Sequence, residues 1–424
     1  MNHHRPISTP RTVADLLAGY RPGFAMEQAL YASDEIFAAD VEAVMMREWH
    51  FAGLANEIPG AGDYMLFDLL DESVILVRGE DGQVRAFANV CRHRGSRVCL
   101  EHRGSARQFV CPYHAWTYNL DGSLRHARLM GSELDQDGLG LKPVACEVFH
   151  GLIFVSLADN PASFDQLRAE VDGPLAPFGL DRTRIAHRES YEVQANWKLL
   201  VENYNECYHC APAHPEYRRT HPTHLSADRV EPFNLAMEER ARGLGIPTDF
   251  IDRVGPGLCP PGSVDYSYSR HSLYEGYDTG SDNGKPVAPL RGSLQGYDQG
   301  AMDLYIGFLN PLLVYNDHAV IYRFIPIDRE RSVQEILWLV HEDAEEGRDY
   351  DLQRLTWLWD ATTKADKHII EKNQKGVNSR FYQPGPLAEM EAFTQRFINY
   401  YLERLSALDD RGGEGRGGDR THDR

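Results

Sequence analysis

Short apolar runs dominate the first third of the chain, and longer runs with an apolar residue every three or four positions dominate the rest. Between 51 and 158 the runs 64–69, 73–78, 84–89, 108–111 and 152–156 are rich in β-branched and aromatic residues and are parted by Gly and Asp, which predicts an antiparallel β domain. Ahead of it, Pro6, Pro10 and Pro22 lead into a helical stretch over 33–49, with Ser33 and Glu35 as the start signal. Behind it, 161–184 reads as a polar connection with one helix, 319–327 and 332–341 as a hairpin around Asp328–Arg331, and 350–374 as one long helix. The segments 255–262 and 280–289 are turn-rich. The pattern predicts an α+β chain in four parts: a lead-in over 1–45 packing on the third part, a β domain over 46–160, a mixed domain over 161–408, and a Gly- and Arg-rich disordered tail over 409–424.

Composition narrows the class. Sixty-three acidic against 44 basic residues give a net charge of −19, which argues against a nucleic-acid partner. No run approaches the roughly 18 apolar residues of a membrane span, and the N-terminus lacks the order of a signal peptide, so a cytoplasmic protein without membrane contact is expected. Seven cysteines in 424 residues make no disulfide framework and suit a reducing compartment.

Candidate chemistry begins at Cys91-Arg-His93 and Cys111-Pro-Tyr-His114, where each loop offers one thiolate and one imidazole. Two cysteines and two histidines could hold a tetrahedral zinc, but zinc fingers usually group like with like along the chain. A mixed pair per loop suits two irons, one taking both cysteines and the other both histidines, as in a Rieske cluster. Gly95 and Asp121-Gly122 permit tight turns, while Pro112, Tyr113 and Trp116 can shield sulfide from water. Cys99 lies near these loops and stays unassigned.

A second cluster follows at 196–214. Trp197, Leu200, Val201 and Tyr204 make an apolar helix face, and Glu202, Glu206 and His209 follow at four and three residues, which predicts that these three share one side of a helix. On an unbroken helix His214 would point roughly 140° from His209, and Pro212 and Pro215 predict a bend that swings it back. Two histidines and a carboxylate form the facial triad of a non-heme iron site. In the long helix, Leu352, Leu355, Trp359, Thr362 and Ile370 trace a buried stripe with Asp366 near its centre and Asp360 roughly 120° away, so Asp366 is the better third ligand. His221 and His224 could flank the site, although a polar loop is the commoner home for such a pair, and Cys207 and Cys210 read as packing residues.

The strings CRHRG and CPYHAWTY, then Asn196-Trp197-Lys198, Glu206, His209 and His214, then Asp366, Glu371, Gln374 and Gly376 resemble the α subunits of Rieske non-heme iron oxygenases, the aromatic-ring-hydroxylating dioxygenase family, over about 28–405. That resemblance implies a β Rieske domain followed by a helix-grip (START-like) α+β catalytic domain. It implies a 2Fe-2S cluster on Cys91, His93, Cys111 and His114 and mononuclear Fe(2+) on His209, His214 and Asp366. It also implies O2 as co-substrate, electrons from NAD(P)H through a separate flavin/iron-sulfur reductase, and a homotrimer with transfer between subunits. The family's usual bridging residue is aspartate; here Glu206 stands in its place, one methylene longer.

Glu-Cys-Tyr-His-Cys at 206–210, Trp359-Asp-Ala-Thr362, Asn378-Ser379 and Tyr382-Gln-Pro-Gly-Pro386 resemble the branch containing glycine betaine monooxygenase and stachydrine demethylase. The resemblance implies hydroxylation of an N-methyl carbon of a quaternary or tertiary amine, with release of formaldehyde. A ring-hydroxylating oxygenase of aromatic substrates is the alternative on the same scaffold. A non-catalytic Rieske carrier would need only the first 160 residues or so. Tyr266, Tyr268, Tyr274, Tyr277, Tyr297, Tyr305 and Phe308 lie in the stretch expected to line the pocket, with about two or three in a cation cage.

Overall fold

The apolar runs of the first third pair as antiparallel strands, and more of the chain joins them than the pattern marked. The computed structural model describes residues 12–131, 134–248, 259–260 and 262–414. Ten strands build the first domain: β1 (His50–Leu54), β2 (Asp63–Leu69), β3 (Glu72–Arg78), β4 (Val84–Ala88), β5 (Arg103–Ser105), β6 (Phe109–Val110), β7 (Thr117–Tyr118), β8 (Leu124–His126), β9 (Pro143–Phe149) and β10 (Leu152–Ser156). Seven form one sheet in the order β1-β10-β9-β4-β3-β2-β5, and β6, β7 and β8 form a small second one. The unbroken apolar run of β3 follows from burial on both faces. Val74 and Leu76 enter the main core, while Ile75 and Val77 enter a separate core with Cys91, Cys111, Trp116 and Tyr118.

The lead-in supplies α1 (Val13–Gly19), α2 (Gln28–Ala32) and α3 (Asp34–Asp40), whose cap Ser33 accepts from Ile36 N at 3.3 Å. After the connecting helix α4 (Asp165–Leu175), the second domain holds a six-stranded antiparallel sheet flanked by helices. Its strands are β11 (Thr183–Val193), β12 (Tyr266–Ser272), β13 (Gly300–Ile306), β14 (Pro311–Val314), β15 (Ala319–Asp328) and β16 (Arg331–His341), in the order β11-β16-β15-β14-β13-β12. The helices are α5 (Trp197–Tyr204), α6 (Cys210–Ala213), α7 (Ala227–Gly243), α8 (Leu352–Val377) and α9 (Ala392–Glu414). The expected hairpin is β15–β16, and the expected long helix is α8. The tail read from 409 starts inside α9, and residues 415–424 lie outside the described residues, as does most of the 255–262 loop.

Two sets of contacts fix α5, the element that leads into the His209 region. Asp40 of α3 is fully buried and accepts from Trp197 Nε1 at 3.0 Å, Tyr401 OH at 2.7 Å and the Lys198 ammonium, joining the lead-in, α5 and α9. On the other side α8 holds the backbone entering α5: Glu371 Oε1 accepts from Gln194 N at 3.2 Å and Gln374 Oε1 from Asn196 N at 2.8 Å. Asn196 then caps α5 through Lys198 N at 3.0 Å.

Glu202 does not share a face with Glu206 and His209, because α5 ends at Tyr204. It turns to the lead-in and accepts from Tyr31 OH at 2.8 Å. Burial pushes its carboxyl up to about 8, against the opposing pull of that bond and of Lys198. A carboxyl raised in the folded state contributes stability below its unfolded value of 4.5 and loses it as pH climbs through about 8. Glu202→Gln therefore gains thermal stability over the parent at pH 9 relative to pH 5; an unfolding-midpoint difference that does not change with pH refutes the assignment.

Candidate metal centres and substrate cavity

The two Cys/His loops are one turn built twice. Cys91 N donates to Ser96 O at 2.8 Å and Gly95 N to Cys91 O at 2.9 Å, while Cys111 N donates to Trp116 O at 2.8 Å and Ala115 N to Cys111 O at 3.0 Å. The residue that closes each turn is left-handed, Gly95 at φ 80° and Ala115 at φ 58°. Repetition of the turn brings like atoms together. His93 Nδ1 stands 3.2 Å from His114 Nδ1, and the buried Cys91 and Cys111 thiols lie side by side. Burial pushes the Cys91 thiol up; at Cys111 burial is outweighed by the N–H groups of Tyr113 and His114, by Cys91 and by the Ser96 hydroxyl, which hold that thiol below its usual range. Tyr118 OH lies 3.2 Å from Cys91 Sγ, Trp116 stacks on His93 with centroids 5.0 Å apart, and Tyr113 stacks on His114 at 3.8 Å.

Among the described residues, only one set of three or more ligating atoms lies mutually within 4.8 Å, and it is not here. Four ligands about 2.0–2.3 Å from one zinc would have to lie closer together than that. Sulfur paired with sulfur and nitrogen with nitrogen, among N–H donors suited to anionic sulfur, fits two irons with different ligands.

The set that does converge is His209, His214 and Asp366. His209 Nε2 and His214 Nε2 are 3.0 Å apart, and Asp366 Oδ1 lies 3.3 Å from the first and 2.9 Å from the second. The helix break that allows this comes earlier than the prolines predicted. Asn205 N closes α5 on Val201 O at 3.1 Å, and Glu206 Oε2 then accepts His209 N at 3.0 Å, starting a new turn. His209 stands at the head of the four-residue α6 and His214 at its foot; Pro212 sits within that single turn, where no backbone donor is missed.

Both outer nitrogens are claimed by carboxylates. His209 Nδ1 is 2.5 Å from Glu206 Oε1, and His214 Nδ1 is 3.2 Å from Glu216 Oε1. Each contact engages Nδ1 and turns Nε2 of the same ring toward Asp366. Burial opposes charge on His209, yet Asp366 and Glu206 raise it to about 9; burial likewise opposes charge on Asp366, and the imidazoles hold its carboxyl below the usual range. Two imidazole nitrogens and a carboxylate oxygen around one point, a donor set that a metal ion would take in place of the proton, match a metal centre with open positions. Asp360 is elsewhere, accepting from Tyr191 OH at 2.6 Å and pairing with Lys364 at 2.7 Å.

A cavity of about 560 Å³ adjoins this triad. Its aromatic wall is Tyr204, Tyr217, Tyr305, Tyr322, Trp359 and Phe393, and no lysine or arginine is among the described residues lining it. Of the seven aromatics expected there, only Tyr305 lines it. Tyr266 and Tyr268 pack in the core behind β12, and Phe308 packs on Phe397 and Tyr400. Tyr322 and Trp359 were hidden in sequence because they sit on the expected hairpin and long helix, where aromatics read as core. His221 is fully buried behind the wall, stacked on Tyr217 at 4.0 Å and bonded through Nε2 to Tyr315 OH at 2.8 Å; burial keeps it neutral. His224 is outside the cavity lining as well. Cys207 and Cys210, read as packing thiols, are joined as a disulfide across the turn that carries His209, since that turn brings their Cα atoms to 4.9 Å.

Comparison with known proteins agrees with both halves. Residues 48–146 match the Rieske [2Fe-2S] domain, and 180–280 with 295–407 match the ring hydroxylating alpha subunit catalytic domain. The glycine betaine monooxygenase oxygenase subunit of Chromohalobacter salexigens is 36% identical over 411 residues, 95% of this chain and 91% of that one. The carnitine monooxygenase oxygenase subunit of Acinetobacter baumannii is 34% identical over 383 residues, covering 87% and 89%. In fold the chain resembles a quaternary ammonium Rieske monooxygenase solved for carnitine oxidation and inter-subunit electron transfer, with TM-score 0.65, 22% identity and coverage of 93% and 97%. It also resembles naphthalene 1,2-dioxygenase, with TM-score 0.62, 21% identity and coverage of 91% and 93%. No described helix is long and apolar enough to cross a membrane. With an α+β fold in two matched domains, the chain belongs to the Rieske non-heme iron oxygenase α subunits, an oxidoreductase family that carries a Rieske 2Fe-2S cluster and a mononuclear iron.

Proposed function

We propose that the protein hydroxylates an N-methyl carbon of a quaternary or tertiary amine, which then loses that carbon as formaldehyde. The observation that carries this reading is the cavity beside His209, His214 and Asp366, walled by six aromatic side chains and free of lysine and arginine among the described residues. A quaternary ammonium offers no N–H to bond, so ring faces are what can hold it. The betaine and carnitine monooxygenase relatives point the same way.

Cys91, His93, Cys111 and His114 would hold the cluster, and His209, His214 and Asp366 the mononuclear iron. When bound, the cluster supplies electrons and the iron supplies activation of O2. The chain's own residues do the rest. Glu206 and Glu216 orient the imidazoles, the aromatic wall holds the methyl-bearing nitrogen and limits water, and the cavity aims one N-methyl toward the triad. One oxygen atom enters a C–H bond, and the other leaves as water with two electrons and two protons. In the resulting carbinolamine the C–N bond breaks, its electron pair stays on nitrogen, and the hydroxyl proton is lost as formaldehyde departs.

Electrons reach the cluster from NAD(P)H through a reductase partner, and a cytoplasmic setting fits that supply. A homotrimer with transfer across subunits is the assembly we infer. Exposed apolar residues stand at both centres, Tyr113 (57% exposed) and Leu129 (87%) on the cluster domain and Tyr208 (60%) and Met390 (44%) beside the cavity, and such surfaces mark contacts. Glu206, on His209, would bridge to a cluster histidine of the neighbouring subunit.

With a reductase, NADH and a panel of methylated amines, the protein should release formaldehyde; a cis-diol from an arene with no formaldehyde from any amine overturns the reading. Asp366→Ala should lose mononuclear iron and keep the Rieske absorbance, whereas Asp360→Ala should keep both, as metal analysis would show. Glu206→Gln should keep both centres filled but slow reoxidation of the reduced cluster by about 10–100-fold in single-turnover spectroscopy; an unchanged rate removes Glu206 from the path.

A further inference from the structure

The floor of the cavity carries a carboxylate that neither metal centre uses. In the β12–β13 pair Ser267 stands opposite Tyr305, Ser269 opposite Asp303 and His271 opposite Ala301. Alternation along the strands turns Ser267, Ser269 and His271, with Asp303 and Tyr305, to the cavity. Three acidic residues line it. Asp366 belongs to the metal triad and Glu206 to His209; Asp303 meets His271 Nδ1 at 3.0 Å.

Three rings surround that carboxylate. The phenols of Tyr204, Tyr217 and Tyr305 are pushed up first by burial and next by the negative charge of Asp303. Tyr204 and Tyr305 have centroids 5.8 Å apart, Tyr204 and Tyr322 4.9 Å, Tyr322 and Trp359 6.2 Å, and Tyr217 and Trp359 5.7 Å, so the wall is one continuous run of rings. The nearest guanidinium felt by Tyr305, that of Arg396, is engaged by both oxygens of Asp265 at 2.9 Å. His271 orients Asp303 from below, and its Nε2 is buried without a partner.

A carboxylate set among aromatic faces and held on one side by His271 is favoured further when a cation arrives with the ligand. We propose that Asp303, oriented by His271, is the specificity-determining counter-charge of the cavity, selecting substrates with a permanently positive N-methyl nitrogen over uncharged isosteres. This rests on the N-methyl reading above and adds to it: ring faces hold any apolar head of that shape, and Asp303 requires that the head be charged. Asp303 touches the substrate's cation rather than the reacting carbon, so its loss should raise KM far more than it lowers kcat.

The test is anaerobic calorimetric binding to the fully metallated protein, with glycine betaine, choline and tetramethylammonium as cations and 3,3-dimethylbutanoate and 3,3-dimethylbutan-1-ol as carbon isosteres of the first two. The parent should bind at least one cation at least about tenfold tighter than its isostere, and Asp303→Asn should abolish that ratio while Rieske absorbance and iron content stay intact. Asp303→Glu, which keeps the charge, should retain most of the preference. Binding of no cation by the parent, an equal affinity for cation and isostere, or an undiminished ratio in Asp303→Asn overturns the proposal. The two readings fail separately. Charge discrimination without formaldehyde from any amine would leave the counter-charge standing and remove the demethylation, whereas formaldehyde release with an unchanged KM in Asp303→Asn would do the reverse.

Discussion

Two imidazole nitrogens and a carboxylate oxygen aimed at one point make an arrangement that holds only while a cation, a proton or a metal ion, sits among them. Much of the second domain exists to hold it. Glu206 and Glu216 engage the far nitrogens, so each ring is held with Nε2 toward Asp366. The closure of α5 at Asn205 puts His209 and His214 at opposite ends of one helical turn, the spacing at which both can face Asp366. Asp366 comes from a rigid 26-residue helix, which bonds through Glu371 and Gln374 to the backbone entering α5. The three convergent side chains are therefore set by the register of two helices.

That register explains which parts of the site could be read in advance. The cluster loops were legible because chemistry and spacing coincide within a few residues, and Asp366 because a carboxylate on an apolar stripe of a long helix needs a partner. The turn at Asn205 was not, because helix periodicity runs through Trp197, Leu200, Val201 and Tyr204 without a break residue, and a polar residue at a helix end looks like one on a helix face. Glu202 shows the error: four residues from Glu206, it belongs to the lead-in through Tyr31. Tyrosines of 266–297 were assigned to the pocket by proximity in sequence, but strand alternation sends Tyr266 and Tyr268 to the core and leaves Ser267, Ser269 and His271 facing inward. A register shift of one residue reverses every such assignment, and nothing local fixes it.

The cluster domain and the second domain solve opposite problems. Around Cys91 and Cys111 backbone N–H groups and the Tyr118 and Ser96 hydroxyls meet the sulfurs, so electron density is stabilised by uncharged dipoles. Around His209 the supporting groups are themselves charged. A centre that only passes electrons gains from fixed dipoles, while one that must admit a ligand gains from partners that can adjust their protons.

Asp40 ties residues 361 positions apart, since it accepts from Tyr401 as well as from Trp197 and Lys198. During synthesis α5 precedes α9 by almost two hundred residues, so it lacks its Phe397 and Tyr401 ring contacts until the last helix has left the ribosome. The ammonium of Lys198 and the earlier-made Asp40 must wait for each other's surroundings to become apolar. The second domain is thus finished by its final segment, and a chain halted before Tyr401 would leave Asp40 without one of its three donors.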